Sequence, residues 1–287
     1  MNALPMILAA CTGVALAPNS ESQCSYPPKQ TLTPSVIEVG AEFGISVDID
    51  GSVLVVGARR EDAGGVTDAG AAYVFEFANG VWSETARLTA GDGASGDLFG
   101  YGVAVSGNRI AVGAPFATVS GFTGAGAAYV FEKAGPIWSF ATKVHSSDLA
   151  GSASFGRNLA MFGDQMAVTR QGHVAVLEVL LGSWFETFET QAQTSSTIAD
   201  VDITQDWFIM SHHSLGSQLF RKAGATWTFE GIFGSSVPNN KPKVAISNSH
   251  FVVSGQQGNA WSLPNKNLVH NLAMDSYSSV AIAGDRL

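Results

Sequence analysis

Positive charge is scarce in this 287-residue chain. Fifteen Lys and Arg stand against 24 Asp and Glu, for a formal net charge of −9. A basic footprint for nucleic acid is therefore excluded. Charged residues of all kinds make up only 14%, against roughly a quarter in an average soluble domain, which excludes charged disordered chains. Ten Pro beside 32 Gly without a triplet period exclude collagen. No stretch sustains helical periodicity, so helical bundles and coiled coils are excluded. Outside the N-terminus no apolar run is long enough for a membrane helix. Two cysteines, Cys11 and Cys24, show no metal-type spacing. The G-x-S-x-G elbow, the H-E-x-x-H helix and the P-loop are all missing. Hydrophobic residues nevertheless reach 46%, ample for a packed core.

Residues 1–24 read as a targeting segment and tail, ahead of a single domain over 25–287. Met1 to Ala17 is apolar and uncharged, and ends in Ala15-Leu16-Ala17 before a polar run. This pattern predicts a secretory signal and export to the extracellular side. Leu8-Ala9-Ala10-Cys11 offers an alternative, a lipobox with Cys11 as a lipid-bearing membrane anchor. Cleavage after Ala17 or before Cys11 leaves Cys24 without Cys11 as its partner, a free thiol in a tail or the point of an intermolecular pairing.

An internal repeat organises the rest. Laid over Phe99 to Ser154 without a gap, Phe43 to Leu98 matches at 22 of 56 positions. Phe43-Gly44 meets Phe99-Gly100, Val56-Gly57-Ala58 meets Val112-Gly113-Ala114, and Ala69 to Glu76 meets Ala125 to Glu132 intact. Later copies decay, but strand anchors recur at Val47, Val103, Leu159, Val201, Val244 and Val280. Four residues after each anchor stands a turn pair, beginning with Gly51-Ser52 and Gly107-Asn108, a two-residue hairpin signal. Units start near 43, 99, 155, 197, 240 and 276.

Each unit reads as four short strands. In the first they are Gly44 to Asp50, the continuous apolar run Val53 to Gly57, Ala71 to Phe77, and the alternating, more polar Val81 to Leu88. Four-stranded repeats of this length predict an all-β fold, a β-propeller with about five complete units and an incomplete sixth. Trp82, Trp138, Trp184 and Trp227 are expected to fill the gaps between blades. Lys29 to Pro34 overlays Thr85 to Ala90 and reads as an outer strand without inner strands of its own. Val280 to Leu287 supplies an inner strand and the start of a hairpin, so the chain is expected to be part of a longer protein.

The Phe-Gly pairs, Val112-Gly113-Ala114-Pro115 and the Gly-Ala-Ala-Tyr-Val-Phe strands resemble the FG-GAP repeat of integrin α-subunit heads. The resemblance implies a propeller, commonly of seven blades, on extracellular or surface proteins that serve adhesion or ligand binding. Such repeats often carry a calcium loop between strands one and two. Here that connection is a two-residue hairpin after Asp48-Ile49-Asp50, too short to wrap an ion needing six to eight oxygens. No cofactor is therefore expected. The looser loop from Ala90 to Leu98, with Asp92 and Asp97, is the weak alternative for a metal, set against loop acids that cap turns.

The expected function is a non-catalytic adhesion or ligand-binding module for an extracellular protein or glycan. A scaffold propeller of a larger cell-surface protein is the alternative, and a carbohydrate-active enzyme a more distant one. In a propeller the loops joining strands two and three share a face with those leading to the next blade, and rigid blades there display variable loops. That face is expected to present Arg59, Arg60, Glu61 and Asp62, then Phe116 and Phe122, then the pair His212 and His213. The aromatics would act as anchors. The arginines would meet a carboxylate or sulfate, or else form rim salt bridges to Glu61 or Asp62. His145, His173, His250 and His270 are isolated and read as structural.

Overall fold

Alternation along each strand dictates the architecture. Strands apolar on both faces must be covered on both, and stacking sheets round an axis covers every sheet but the ends. The computed structural model describes residues 6–7, 30–190, 198–212, 216–234, 242–254 and 258–272, with single residues 280 and 282. It is built almost entirely of antiparallel strands, with one short 3-10 turn at Ala63–Gly65.

A two-residue pairing of β1 (Met6–Ile7) with β2 (Thr31–Leu32) precedes five four-stranded sheets. The first blade is β3 (Val47–Asp50), β4 (Val53–Ala58), β5 (Ala71–Ala78) and β6 (Val81–Leu88). The second is β7 (Val103–Ser106), β8 (Arg109–Ala114), β9 (Ala127–Ala134) and β10 (Ile137–Val144). The third is β11 (Leu159–Phe162), β12 (Gln165–Arg170), β13 (His173–Leu180) and β14 (Ser183–Glu189). The fourth is β15 (Ile198–Ile203), β16 (Trp207–His212), β17 (Gly216–Ala223) and β18 (Thr226–Phe233). The fifth is β19 (Val244–Ile246), β20 (His250–Val253), β21 (Gly258–Ser262) and β22 (Leu268–Leu272). Each sheet is a simple meander from inner to outer strand, and successive inner strands lie side by side. This is a β-propeller. Four of the five inner strands begin on the anticipated anchors; β15 starts three residues before Val201.

The core lies between blades. Val53 and Val55 face the second blade, packing with Val103, Val105, Tyr129 and Trp138. Leu54 and Val56, pointing the other way, pack with Leu32, Tyr73 and Phe75. Leu32 sits on the first blade as Leu88 sits on the second, so residues 30–32 occupy the place of a preceding outer strand. Gln30 reinforces this, its amide bonding the Trp82 carbonyl at 2.6 Å and amide nitrogen at 2.8 Å. Trp138 and Trp227 are buried between blades, while Trp82 and Trp184 cover the rims of their clusters. Val47 and Ile49 on β3 remain exposed, unlike the buried inner strands β7 and β19. The inner-strand segment expected from Val280 to Leu287 lies outside the described residues, save for residues 280 and 282.

The repeat's glycines are the points of contact between blades. A Cβ on Gly57 would lie 2.1 Å from the Gly100 carbonyl oxygen. One on Gly113 would lie 1.8 Å from that of Gly156. The Gly-Ala of one blade thus abuts the Phe-Gly of the next. Phe99 then turns edge-on to Tyr129 and Phe131, at 5.4 and 6.1 Å.

At the axis, side chains of one inner strand satisfy the open edge of its neighbour. Asp48 and Asp50 accept hydrogen bonds from the Val105 and Gly107 N–H groups, each at 2.7 Å. Asp200 and Asp202 accept from Val244 and Ile246, at 3.1 and 2.8 Å. An unpaired strand edge is otherwise a liability. Burial pushes the Asp202 carboxyl up to about 7 and Asp48 to about 6, against backbone bonds that pull both down. The Asp48 charge adds a smaller upward push on Asp202, although the two come from the first and fourth blades.

A folded-state pKa above the unfolded 3.8 means that the native state holds its proton longer. Stability therefore falls as pH rises from about 4 to about 7, and levels off above. Asp202→Asn keeps an oxygen for the Ile246 N–H without the charge. It should raise the melting temperature at pH 8 and narrow the gap between pH 5 and pH 8, as read by calorimetry. An unchanged gap would remove Asp202 as its source.

Candidate functional site

The loops that could carry ligands are unequal. Between strands two and three the chain runs through 59–70 in the first blade and 115–126 in the second. The same connection shrinks to 171–172 in the third blade and 213–215 in the fourth. Among the described residues the displayed surface is therefore concentrated over the first two blades and the edge of the third.

The second-blade loop is a small rigid arm. Val119 and Phe122 pair across a tight turn, with N–H to O distances of 3.2 and 2.9 Å. Ser120 and Gly121 both take positive φ, 51° and 86°, as a primed turn requires. Ala117 and Val119 are buried and root the arm in the core between blades. Phe116 and Phe122 stay 39% and 45% exposed. They are apolar side chains held in water by a fixed backbone.

The arginines of the first loop are rim ion pairs, as one sequence reading held, but with other partners. Arg59 meets Glu42 at 2.5 Å, and Arg60 meets Glu42 at 3.0 Å and Asp68 at 3.4 Å. Exposed Asp62 shapes its own loop, accepting from the Asp68 N–H at 2.8 Å and donating its N–H to Glu38 at 2.9 Å.

Glu61 is a correction. It was expected on the surface and is 1% exposed. Tyr73 donates its hydroxyl to Glu61 at 2.5 Å, and Arg87 forks onto the same carboxylate, with Nε at 2.7 Å. The second blade solves the same problem with a different acid. There Tyr129 donates to Asp92 at 2.8 Å and Lys143 meets Asp92 at 2.7 Å. Burial, with the neighbouring carboxylate, raises the pKa of both tyrosines. Asp92 is thus occupied by Tyr129 and Lys143. Asp97 is buried and caps its own turn through the Ala94 N–H at 2.9 Å. Among the described residues no group of three His, Cys, Asp or Glu is arranged to hold a metal ion.

His212 is a second correction. It ends β16, pairs with Gly216 and is 1% exposed, because the strand runs on where a long loop was expected. His213, Cys11, Cys24 and the expected signal segment, apart from Met6–Ile7, lie outside the described residues. His145, His173 and His250 each bond a neighbouring carbonyl or hydroxyl through Nδ1.

Two residues that sequence reading did not single out complete the face. Tyr101 and Arg157 follow the Phe-Gly pairs of the second and third repeats, where the first has Ile45. Arg59 and Arg157 flank the Tyr101 ring, with guanidinium carbons 4.5 and 5.2 Å from its centroid. Arg157 Nε donates to the Tyr101 hydroxyl at 3.1 Å, and Phe116 meets the ring edge-on at 6.4 Å. Phe116, Tyr101, Arg59 and Arg157 therefore form one patch across three blades.

The class is a β-propeller whose blades meet through paired glycines. Residues 28–75 and 82–131 match the family model of the FG-GAP repeat, so the chain carries FG-GAP repeats over its first two blades. No curated protein matches by sequence. Among solved structures, that of U3-55K is similar with a TM-score of 0.53 at 13% identity, over 79% of this chain and 62% of that one. A protein from Lactobacillus plantarum is similar with a TM-score of 0.56 at 11% identity, over 80% and 71%. The chain thus spans less than two thirds of the first of these. At such identities the likeness is one of fold.

Proposed function

We propose that the protein is an exported, non-catalytic ligand-binding or adhesion module that engages an extracellular protein or glycan. Binding runs through the loops of its first two blades. The observation that carries this reading is the rigid arm holding Phe116 and Phe122 in solvent beside the Tyr101 patch. Aromatic side chains fixed on a stiff frame bind at low entropic cost. FG-GAP repeats in these blades, and the signal-like sequence before them, support an extracellular setting. No helix among the described residues is long and apolar enough to cross a membrane.

Arrays of extracellular matrix proteins and of glycans, probed with the full chain, test the reading. Saturable retention on a defined subset is expected. Uniform background on both arrays would overturn it.

A further inference from the structure

Every Lys and Arg among the described residues has a carboxylate within ion-pair distance, with one exception. The exception is Arg157. In a chain of net charge −9, a cation left without an acid at the centre of the displayed patch needs a reason. Its placement is fixed. Gly102 lets the third blade approach so closely that a Cβ there would lie 2.7 Å from the Arg157 carbonyl oxygen. The Tyr101 hydroxyl holds Nε and the ring lies against the guanidinium, which leaves the two terminal nitrogens for a partner. That end of a guanidinium matches the two oxygens of a carboxylate.

Deepening the binding role proposed above, and resting on it, we propose that Arg157 receives a single carboxylate side chain from a peptide segment of a protein partner, with Phe116 as the shelf for an adjoining apolar or aromatic residue. The surroundings favour one carboxylate over a polyanion. Arg59 and Arg60 are already neutralised by Glu42 and Asp68, and exposed Asp62 lies on the same loop. A sulfated chain would meet one open cation among several acids.

The test follows the Arg157 Nε–H and Tyr101 ring signals of the full chain by NMR. The titrants are a blocked Ser-Asp-Phe-Gly peptide, its Ser-Asn-Phe-Gly counterpart and inorganic sulfate. The Asp peptide should shift both signals saturably in the millimolar range. The Asn peptide and sulfate should bind at least ten times more weakly, as should the Asp peptide to Arg157→Gln. Arg157→Lys, which keeps charge without the fork, should fall between. Equal binding of the Asn peptide, sulfate binding as tight as the Asp peptide, or unchanged binding to Arg157→Gln would overturn the proposal. The array ligand separates this failure from that of the wider reading. If Phe116→Ser/Phe122→Ser loses it while Arg157→Gln retains it, the face binds and the carboxylate assignment is wrong. If all variants retain it, both fall.

Discussion

Gly113→Ala should destabilise the propeller by about 3 kcal/mol, at the upper end of the cost of overpacking a closed core. For a domain of this size that is a fall in melting temperature of roughly 10 °C. The new methyl group would lie 1.8 Å from the Gly156 carbonyl oxygen, and the neighbouring contacts are also backbone. No rotamer change relieves it; the second and third blades must move apart, exposing Phe155, Leu159 and Met166 between them. Gly107→Ala is the control. It has positive φ, 58°, but nothing within 4 Å, so its cost is the left-handed backbone alone, about 1 kcal/mol. Blades contact only their neighbours, so the damage should be local. Hydrogen exchange should accelerate at the interface of blades two and three and spare that of blades four and five. Equal effects of the two substitutions would refute the role given to the glycine pairs.

The second large effect is expected at Glu61. Arg87→Met leaves a buried carboxylate with only the Tyr73 hydroxyl, and stranding one partner of a buried pair costs about 3 to 5 kcal/mol. Glu61→Gln on top of it should recover much of that loss, because a neutral amide still accepts from Tyr73 without an unpaired charge. Urea titrations of the wild type, the single variant and the double variant measure the difference. A single variant as stable as the double would show that Glu61 reaches solvent after all.

The frame of the fold was legible because it is written twice. Phe43 to Leu98 and Phe99 to Ser154 share the residues that make each blade, and β6 (Val81–Leu88) falls on its expected bounds. The glycines showed themselves by recurrence, although sequence alone could not say that Gly57 meets Gly100. The site was less legible, since it is built where the repeats differ. Glu61 faces Ala117 in the overlay, Arg87 faces Lys143, and Val36 faces Asp92. The first blade draws its acid, buried Glu61, from its own loop, and the second draws exposed Asp92 from the segment that leads into it, a swap across 26 and 51 residues that no local pattern signals. Tyr101 and Arg157 were overlooked because each stands alone in its repeat. The contrast with Ile45 was the available signal. His212 was misplaced because the loop after strand two shortens in the later blades, and the decayed copies carried no marker of that shortening.

Binding by one face of the disc is the central functional claim, and a comparison of its two faces tests it most directly. Leu181 is fully exposed at the turn between β13 and β14, on the face opposite the long loops. The full chain, Phe116→Ser/Phe122→Ser and Leu181→Ser would be measured side by side against the ligand returned by the arrays. Loss of two aromatic anchors should weaken binding at least tenfold, given a cost above about 1 kcal/mol for each anchoring side chain. Leu181→Ser should bind as the wild type does. Undiminished binding by the loop variant, or loss of binding in Leu181→Ser, would contradict the account.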